Sequence, residues 1–311
     1  MNLLTRTQIH LPFTEERRVV APAQPKKFPV RWKPFFIAIG VLAVCYCVPL
    51  WQLLRLAAHS QLYSYIPLIP FVSVWFAWQH RNRLPAISEP ARVIAAYFFA
   101  IAIAALVYFC IKTATVAPED YLSATIFSLV SFVAGAVALF LGKETFRALV
   151  FPLCLLIFMV PLPAELLRLT ETFLQIGSAA CANALFALTG TPFFQDGLQF
   201  QLPGINLHVA PECSGIHSSL VLFITSFVAA KLFLRNPWLR AVLIIATIPL
   251  ALARNGFRIF VIGELCIRHG AQVLDWPIHR HGGPLFFVLS LFPLFGLLLL
   301  LRWQERKNSN R

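Results

Sequence analysis

Repeated apolar runs, most of them near the length that crosses a bilayer, leave this chain few ways to fold. A helix needs about 20 predominantly apolar residues to span the hydrocarbon core. Eight runs read as spans: Phe35 to Trp51, Tyr63 to Trp78, Val93 to Ile111, Leu122 to Leu141, Ala148 to Val160, Ser214 to Leu234, Leu239 to Leu252 and Leu285 to Leu301. The second is short and carries Pro67 and Pro70, and the fifth ends at the Pro161-Leu162-Pro163 break. Charged residues make up 13% of the chain, half of the roughly 25% usual in a soluble domain. The expected fold is therefore all-α, a polytopic integral membrane helical bundle with about eight transmembrane helices.

The chain carries a net charge of +13, which raises the question of nucleic acid. Its basic residues sit in short clusters between the apolar runs and interleave with no aromatic platform, so they read as topology charge and no nucleic-acid partner is expected. Cytoplasmic loops carry the excess of Lys and Arg. With the N-terminus inside and eight alternating spans, only Arg55, Lys112, Arg168, Arg254, Arg258, Arg268 and Arg280 of the 26 basic residues fall outside. The expectation is N-in/C-in. Residues 1–34 form a basic cytoplasmic tail, 35–302 the membrane domain and 303–311 a cytoplasmic C-terminal tail.

One stretch breaks the alternation. Residues 164–188 place Glu165, Arg168, Glu171 and Gln175 at helical spacing among leucines and Phe173, an amphipathic helix lying at an interface or packed in the bundle. Gly190 to His208 then reads as an extended loop in which Leu-Gln-Phe-Gln-Leu alternates as a strand would. Together, 164–210 is expected on the extracytoplasmic side.

Polar residues in the second half gather at three points. Pro211-Glu212-Cys213-Ser214-Gly215-Ile216-His217 opens the sixth span. Ala253-Arg254-Asn255-Gly256-Phe257-Arg258 is expected to close the seventh, and His279-Arg280-His281-Gly282-Gly283 opens the eighth. In the N-in arrangement all three lie near the outer surface. A thiolate is the reactive form of cysteine, and a helix N-terminus favours an anion. A histidine can take the thiol proton and hand one to a leaving amine, and an arginine can steady the oxyanion of a tetrahedral intermediate. Cys213, a histidine and an arginine together read as acyl transfer through a thioester.

Glu212-Cys213-Ser214-Gly215-Ile216, then Asn255-x-x-Arg258, then His279-x-x-x-Gly283-x-x-Phe286 resemble the three signature motifs of the exosortase/archaeosortase family. The resemblance covers roughly residues 35 to 302. It implies a multi-spanning cysteine transpeptidase (a cysteine peptidase in reaction class), similar to sortases in logic and unrelated in fold. Cys213 would be the nucleophile, Arg258 the transition-state arginine and His279 the proton shuttle. Glu212, Ser214, Asn255, Arg254 and His281 would line the substrate site. Arg254 lies one helical turn from Arg258 and His281 two residues from His279, so each is an alternative to its neighbour; His217 and His208 are further neighbours of the motif.

Substrates implied by the resemblance are exported proteins bearing a C-terminal sorting tail of the PEP-CTERM kind: a short motif, one transmembrane helix and a basic cluster. The setting would be the inner membrane of a cell making extracellular polysaccharide, with the active site facing outward and membrane lipid around the bundle. Three other readings compete: a membrane cysteine protease without transfer, a transporter, and a non-catalytic polysaccharide-assembly protein. Transporters place polar residues at mid-membrane and often show internal repeats; here the polar residues gather at one surface and no repeat is evident. No cofactor or metal is expected. Cys213, Glu212, His279 and His281 offer donor atoms, but their spacing matches no zinc pattern.

Overall fold

The computed structural model describes residues 28–85, 87–112, 118–210, 214–270, 272–273 and 283–309. Helix is the rule within them, as expected of apolar runs that must close their own backbone hydrogen bonds. The first half holds α1 (Trp32–Cys45), α2 (Cys47–His59), α3 (Leu68–Gln79), α4 (Arg92–Lys112), α5 (Pro118–Ala136), α6 (Gly142–Ala148) and α7 (Val150–Leu156). The second half holds α8 (Ala164–Thr189), α9 (Ile216–Phe233), α10 (Pro237–Ile245), α11 (Thr247–His269) and α12 (Gly283–Ser309).

Among the described residues five helices are long and apolar enough to cross a membrane: Asp120–Ala148, Ala164–Thr189, Ile216–Phe233, Pro237–His269 and Gly283–Asn308. The pair α1–α2, bent by 67°, makes a sixth if it is one broken span. The cause of the bend is in the sequence. Pro49 lacks an N–H and its ring clashes with the carbonyl four residues back, so the helix cannot run straight past Tyr46. Pro249 has the same relation to the shallower break at Ala246, between α10 and α11. The remaining apolar helices, Leu68–Gln79, Arg92–Tyr108 and Val150–Met159, are shorter. The chain is thus a multi-pass, helical membrane protein.

Two expected tails begin or end inside the fold. Phe28-Pro29 (β1) pairs antiparallel with Ile87-Ser88 (β2), and α12 continues helical to Ser309. The loop after α8 is more regular than expected. Gly190 ends α8 in the left-handed conformation, and β3 (Phe194–Asp196), β4 (Gln199–Leu202) and β5 (Ile205–His208) form an antiparallel sheet in that order. The Leu-Gln-Phe-Gln-Leu alternation is realised: Phe200 and Leu202 are buried and Gln199 and Gln201 exposed. Pro203-Gly204 makes the β4–β5 turn, with Gly204 at φ +82°, the glycine position of a type II turn.

Three legs of the second half share one height. α9 leads from Gly215 to Arg235, α10–α11 returns from Asn236 to Phe257, and α12 leads from Phe286 to Glu305. At one end the Arg254 Nη2 donates to the Gly215 carbonyl at 3.1 Å, and the Phe257 and Phe286 rings meet edge to face at 6.2 Å. At the other end the Glu305 carboxylate accepts from the backbone N–H groups of Arg235 and Asn236, at 2.9 and 2.5 Å. Each leg is about twenty residues, or about 30 Å at 1.5 Å per residue, which is one hydrocarbon thickness. Leu222, Leu234, Leu243, Leu294 and Leu298 fill the space between them.

Helix α11 does not end there. Where Ala253 to Arg258 were expected to close a span, the helix itself continues through these residues to His269. Its buried face, Arg254, Asn255, Gly256, Ile259, Ile262, Gly263 and Cys266, explains the continuation. This face packs on α8, which runs alongside in the same direction: Gly177 lies against Leu252, Cys181 against Gly256 and Phe186 against Gly263. The sheet closes over the far end, where Phe186, Phe200, Leu202 and Val209 form one cluster with Ile259. Thus α8, the later half of α11 and the sheet form a unit extending past the level where α9 and α12 begin.

Candidate functional site

The site forms where the Arg254–Phe257 turn of α11 meets the first turn of α9. Gly215 caps α9 in the left-handed conformation, φ +70° and ψ 20°. Glycine is required there twice over. Few other residues adopt that conformation, and a Cβ at Gly215 would lie 2.8 Å from Asn255 Oδ1 and 2.9 Å from Arg254 Nη2. The carbonyl of Gly215 accepts from the Ser219 backbone N–H (3.0 Å), the Ser219 hydroxyl (2.8 Å) and the Ser218 hydroxyl (3.1 Å) besides Arg254.

Arg254 is 7% exposed and Asn255 2%. The Asn255 Nδ2 donates to Ser178 Oγ of α8 at 3.1 Å. Ser214 is buried, and its hydroxyl accepts weakly, at 3.4 Å, from the Ile216 N–H. Arg258, one turn beyond Arg254 on the same side of α11, is half-buried. From α8 the Gln175 Nε2 donates to the Val209 carbonyl at 3.2 Å, fixing the strand that leaves the sheet and leads toward Cys213.

Of the residues singled out from sequence, Ser214, Arg254, Asn255 and Arg258 lie at this junction. Cys213, Glu212, His279 and His281 fall outside the described residues, and with them the zinc alternative. Their chain neighbours are placed, however. Gly215, two residues after Cys213, is held by Arg254 and Asn255. Phe286, the last position of the histidine motif, meets Phe257 in the next turn. The flanks of all three motifs therefore meet on one turn of α11. His217 turns to the Leu62 carbonyl between α2 and α3, its Nδ1 at 3.3 Å, and His208 is exposed at the end of β5.

Sequence reasoning missed Ser178, Ser219 and Gln175 as parts of the junction. One signal was present: Gly256 and Gly263 are seven residues apart on one helix face, and α8 carries the run Gly177-Ser178-Ala179-Ala180-Cys181-Ala182. Small residues at such spacing mark two helices whose backbones approach closely in a membrane protein. A Cβ on Gly256 would lie 2.9 Å from the Ser178 carbonyl and 3.0 Å from the Ala182 nitrogen.

Fold and junction together define a multi-pass membrane protein with a buried arginine–asparagine turn set against a glycine-capped helix start. The family model described as Transmembrane exosortase (Exosortase_EpsH) matches residues 51–296. The chain belongs to the transmembrane exosortase family. No curated protein and no solved structure matches it.

Proposed function

We propose that this exosortase is a cysteine transpeptidase that cuts the C-terminal sorting tail of exported proteins at the outer face of the inner membrane. One observation carries the reading: a single turn of α11 touches the residues flanking both the cysteine motif and the histidine motif, through Gly215 and Phe286. A transporter or assembly protein has no need to bring those three motifs together.

Orientation follows from charge. Lys231, Arg235, Arg240, Arg302, Arg306 and Lys307 cluster toward the Glu305 end of the three legs, which is therefore the cytoplasmic end under the rule for basic loops. This supports the N-in/C-in arrangement of about eight crossings. On this reading the site lies at the outer level, with the unit of residues 164–210 as an extracytoplasmic wall beside it.

The reaction uses the chain's own side chains. The substrate helix lies beside the bundle with its basic end inside, and its recognition motif reaches the junction. His279 accepts the Cys213 proton, and the thiolate attacks the scissile carbonyl. Arg258 steadies the oxyanion, a role worth about 3–4 kcal/mol for one donor in related chemistry. The C–N bond breaks, His279 returns the proton to the departing amine, and a thioester to Cys213 remains. Glu212, Ser214, Asn255 and His281 border the substrate. An acceptor amine or hydroxyl, or water, then releases the thioester.

The test is processing of a tail-bearing exported protein, followed by gel mobility in a host that supplies it. Cys213→Ala abolishes cleavage while the protein still accumulates in the membrane. Cys266→Ala, at a buried cysteine packed against Ile262 and Val273, leaves it intact. Normal cleavage by Cys213→Ala defeats the cysteine mechanism.

A further inference from the structure

Arg254 differs from an ordinary interfacial arginine. It lies in a membrane protein's interior, 7% exposed, where long basic side chains usually snorkel toward water. Its Nη2 donates twice, to the Gly215 carbonyl and to the Ser219 hydroxyl, each at 3.1 Å. Ser219 passes the contact on, since its hydroxyl donates to the same Gly215 carbonyl at 2.8 Å. The arginine and serine thus grip one peptide carbonyl, the one at the left-handed residue where the chain turns into α9.

The base of this grip is rigid. Asn255 is tied to Ser178 on α8, and Gly256 packs against the α8 backbone so closely that no side chain fits. The next residue, Phe257, leans on Phe286 of α12. Any movement of the first turn of α9 relative to Arg254 is a movement relative to α8 and α12 as well. The Arg254 Nη1, also buried, has no hydrogen-bond partner among the described residues.

We propose that Arg254 is a positioning residue, which holds the left-handed turn at Gly215 and so sets the direction from which Cys213, two residues earlier, faces the substrate. The catalytic consequence rests on the reading of Cys213 as nucleophile; the mechanical claim does not. Arg254 acts on the cysteine through the backbone, while Arg258 is left to contact the reacting oxygen. This gives distinct tasks to two arginines that lie one helical turn apart in sequence.

Two measurements on the full chain in detergent micelles test it. Hydrogen exchange resolved to the peptide covering residues 214–219 reads the grip directly. Arg254→Gln, which removes the charged fork, speeds exchange there about tenfold, and Arg254→Lys, which keeps a charged donor, restores part of the protection. Ser219→Ala removes the second half of the grip without touching the charge and gives a smaller increase of the same kind. Steady-state processing reads the consequence: kcat falls about tenfold or more in Arg254→Gln while KM stays within about twofold.

Unchanged exchange in Arg254→Gln and Ser219→Ala overturns the proposal whatever the activity. A loss confined to KM also overturns it, and makes Arg254 a substrate contact. Increased exchange in a protein whose Cys213→Ala variant still processes substrate leaves the grip standing and removes the cysteine mechanism. If Arg254→Gln does not accumulate, Ser219→Ala and Arg254→Lys carry the same decision.

Discussion

Between Trp32 and Met159 the helices meet mainly through apolar side chains, whereas between Ala164 and Gly283 polar groups are drawn into the helix contacts. In the first part, Tyr46 with Ser128 and Ser73 with the Pro152 carbonyl are cross-helix side-chain bonds, set among helices whose buried clusters are Leu, Ile, Ala, Phe and Tyr. In the second, Arg254, Asn255, Ser178, Ser219 and Gln175 all bond across elements within a few turns. Lipid tails are as apolar as leucine, so apolar contact alone gives two membrane helices little reason to prefer each other over lipid. A polar group in the same setting is costly unless its partners are in place. The first part is scaffold, and the second spends stability to fix particular side chains.

Gly256→Leu strikes that distinction hardest. A side chain at this position drives into Cys181 and the α8 backbone, which cannot move aside as a flexible side chain can. The expected loss is about 3 kcal/mol or more, the upper end for overpacking a filled site, and with it all processing. Gly296→Leu on α12 meets nothing within 4 Å and should leave the melting temperature in detergent within a few degrees of the parent. Equal damage at both glycines would mean that α8 and α11 are not specially joined.

Asn255→Ala comes next. It leaves the fully buried Ser178 hydroxyl without its partner amide, at a cost of about 1–3 kcal/mol, and loosens the side chain packed beside Gly215. Thermal unfolding and processing should both fall; Asn255→Asp is also destabilised, because although the Ser178 hydroxyl can turn to donate to a carboxylate, position 255 is buried and a charge there is costly. If Asn255→Ala is as stable and active as the parent, the junction is not built as described.

Much of this was readable before any coordinates. The apolar runs and their proline breaks foretold a helical membrane protein, and the order of the Cys, Arg and His motifs foretold the family. The alternation of Leu198 to Leu202 foretold a strand, because period two survives wherever one face is buried. What could not be read were lengths and partners. Arg254 to Arg258 resembled a polar end to the seventh run, since sequence does not show that α8 lies alongside to shelter such residues. With that partner present the helix continues to His269. The amphipathic pattern of 164–188 was visible, but that its small and polar face, Gln175, Ser178, Ala179 and Ala182, is the buried one depends on Gly177 meeting Leu252 and Gly256 meeting Cys181 across some seventy-five residues. The preference for Arg258 over Arg254 rests on the Asn-x-x-Arg spacing; that Arg254 is the one that bonds the Gly215 carbonyl was beyond sequence for the same reason.

A smaller effect tests the seam between the two parts. The Asp120 carboxylate at the start of α5 accepts from the Ala164 N–H at 2.7 Å, capping α8, where Pro163 offers no side-chain oxygen of its own. Asp120→Ala should cost about 1 kcal/mol, the usual worth of a lost helix cap. Because α8 carries Ser178 and Gln175 into the site, processing should fall along with stability, although the substituted residue lies in the scaffold.

The smallest effect belongs wholly to the first part. Tyr46 sits in the bend between α1 and α2, and its hydroxyl bonds the Ser128 hydroxyl of α5 where both residues are buried. Tyr46→Phe and Ser128→Ala each remove one side of the pair, and the double variant completes a cycle. Hydrogen bonds between membrane helices average about 0.6 kcal/mol in such cycles, because the unfolded chain in the membrane finds other partners. A coupling of that size, read from unfolding in micelles with processing unchanged, fits a scaffold whose helices are arranged by shape and by the Pro49 break. A coupling above about 2 kcal/mol, or a loss of kcat, would show that the first part also holds side chains in place for the reaction.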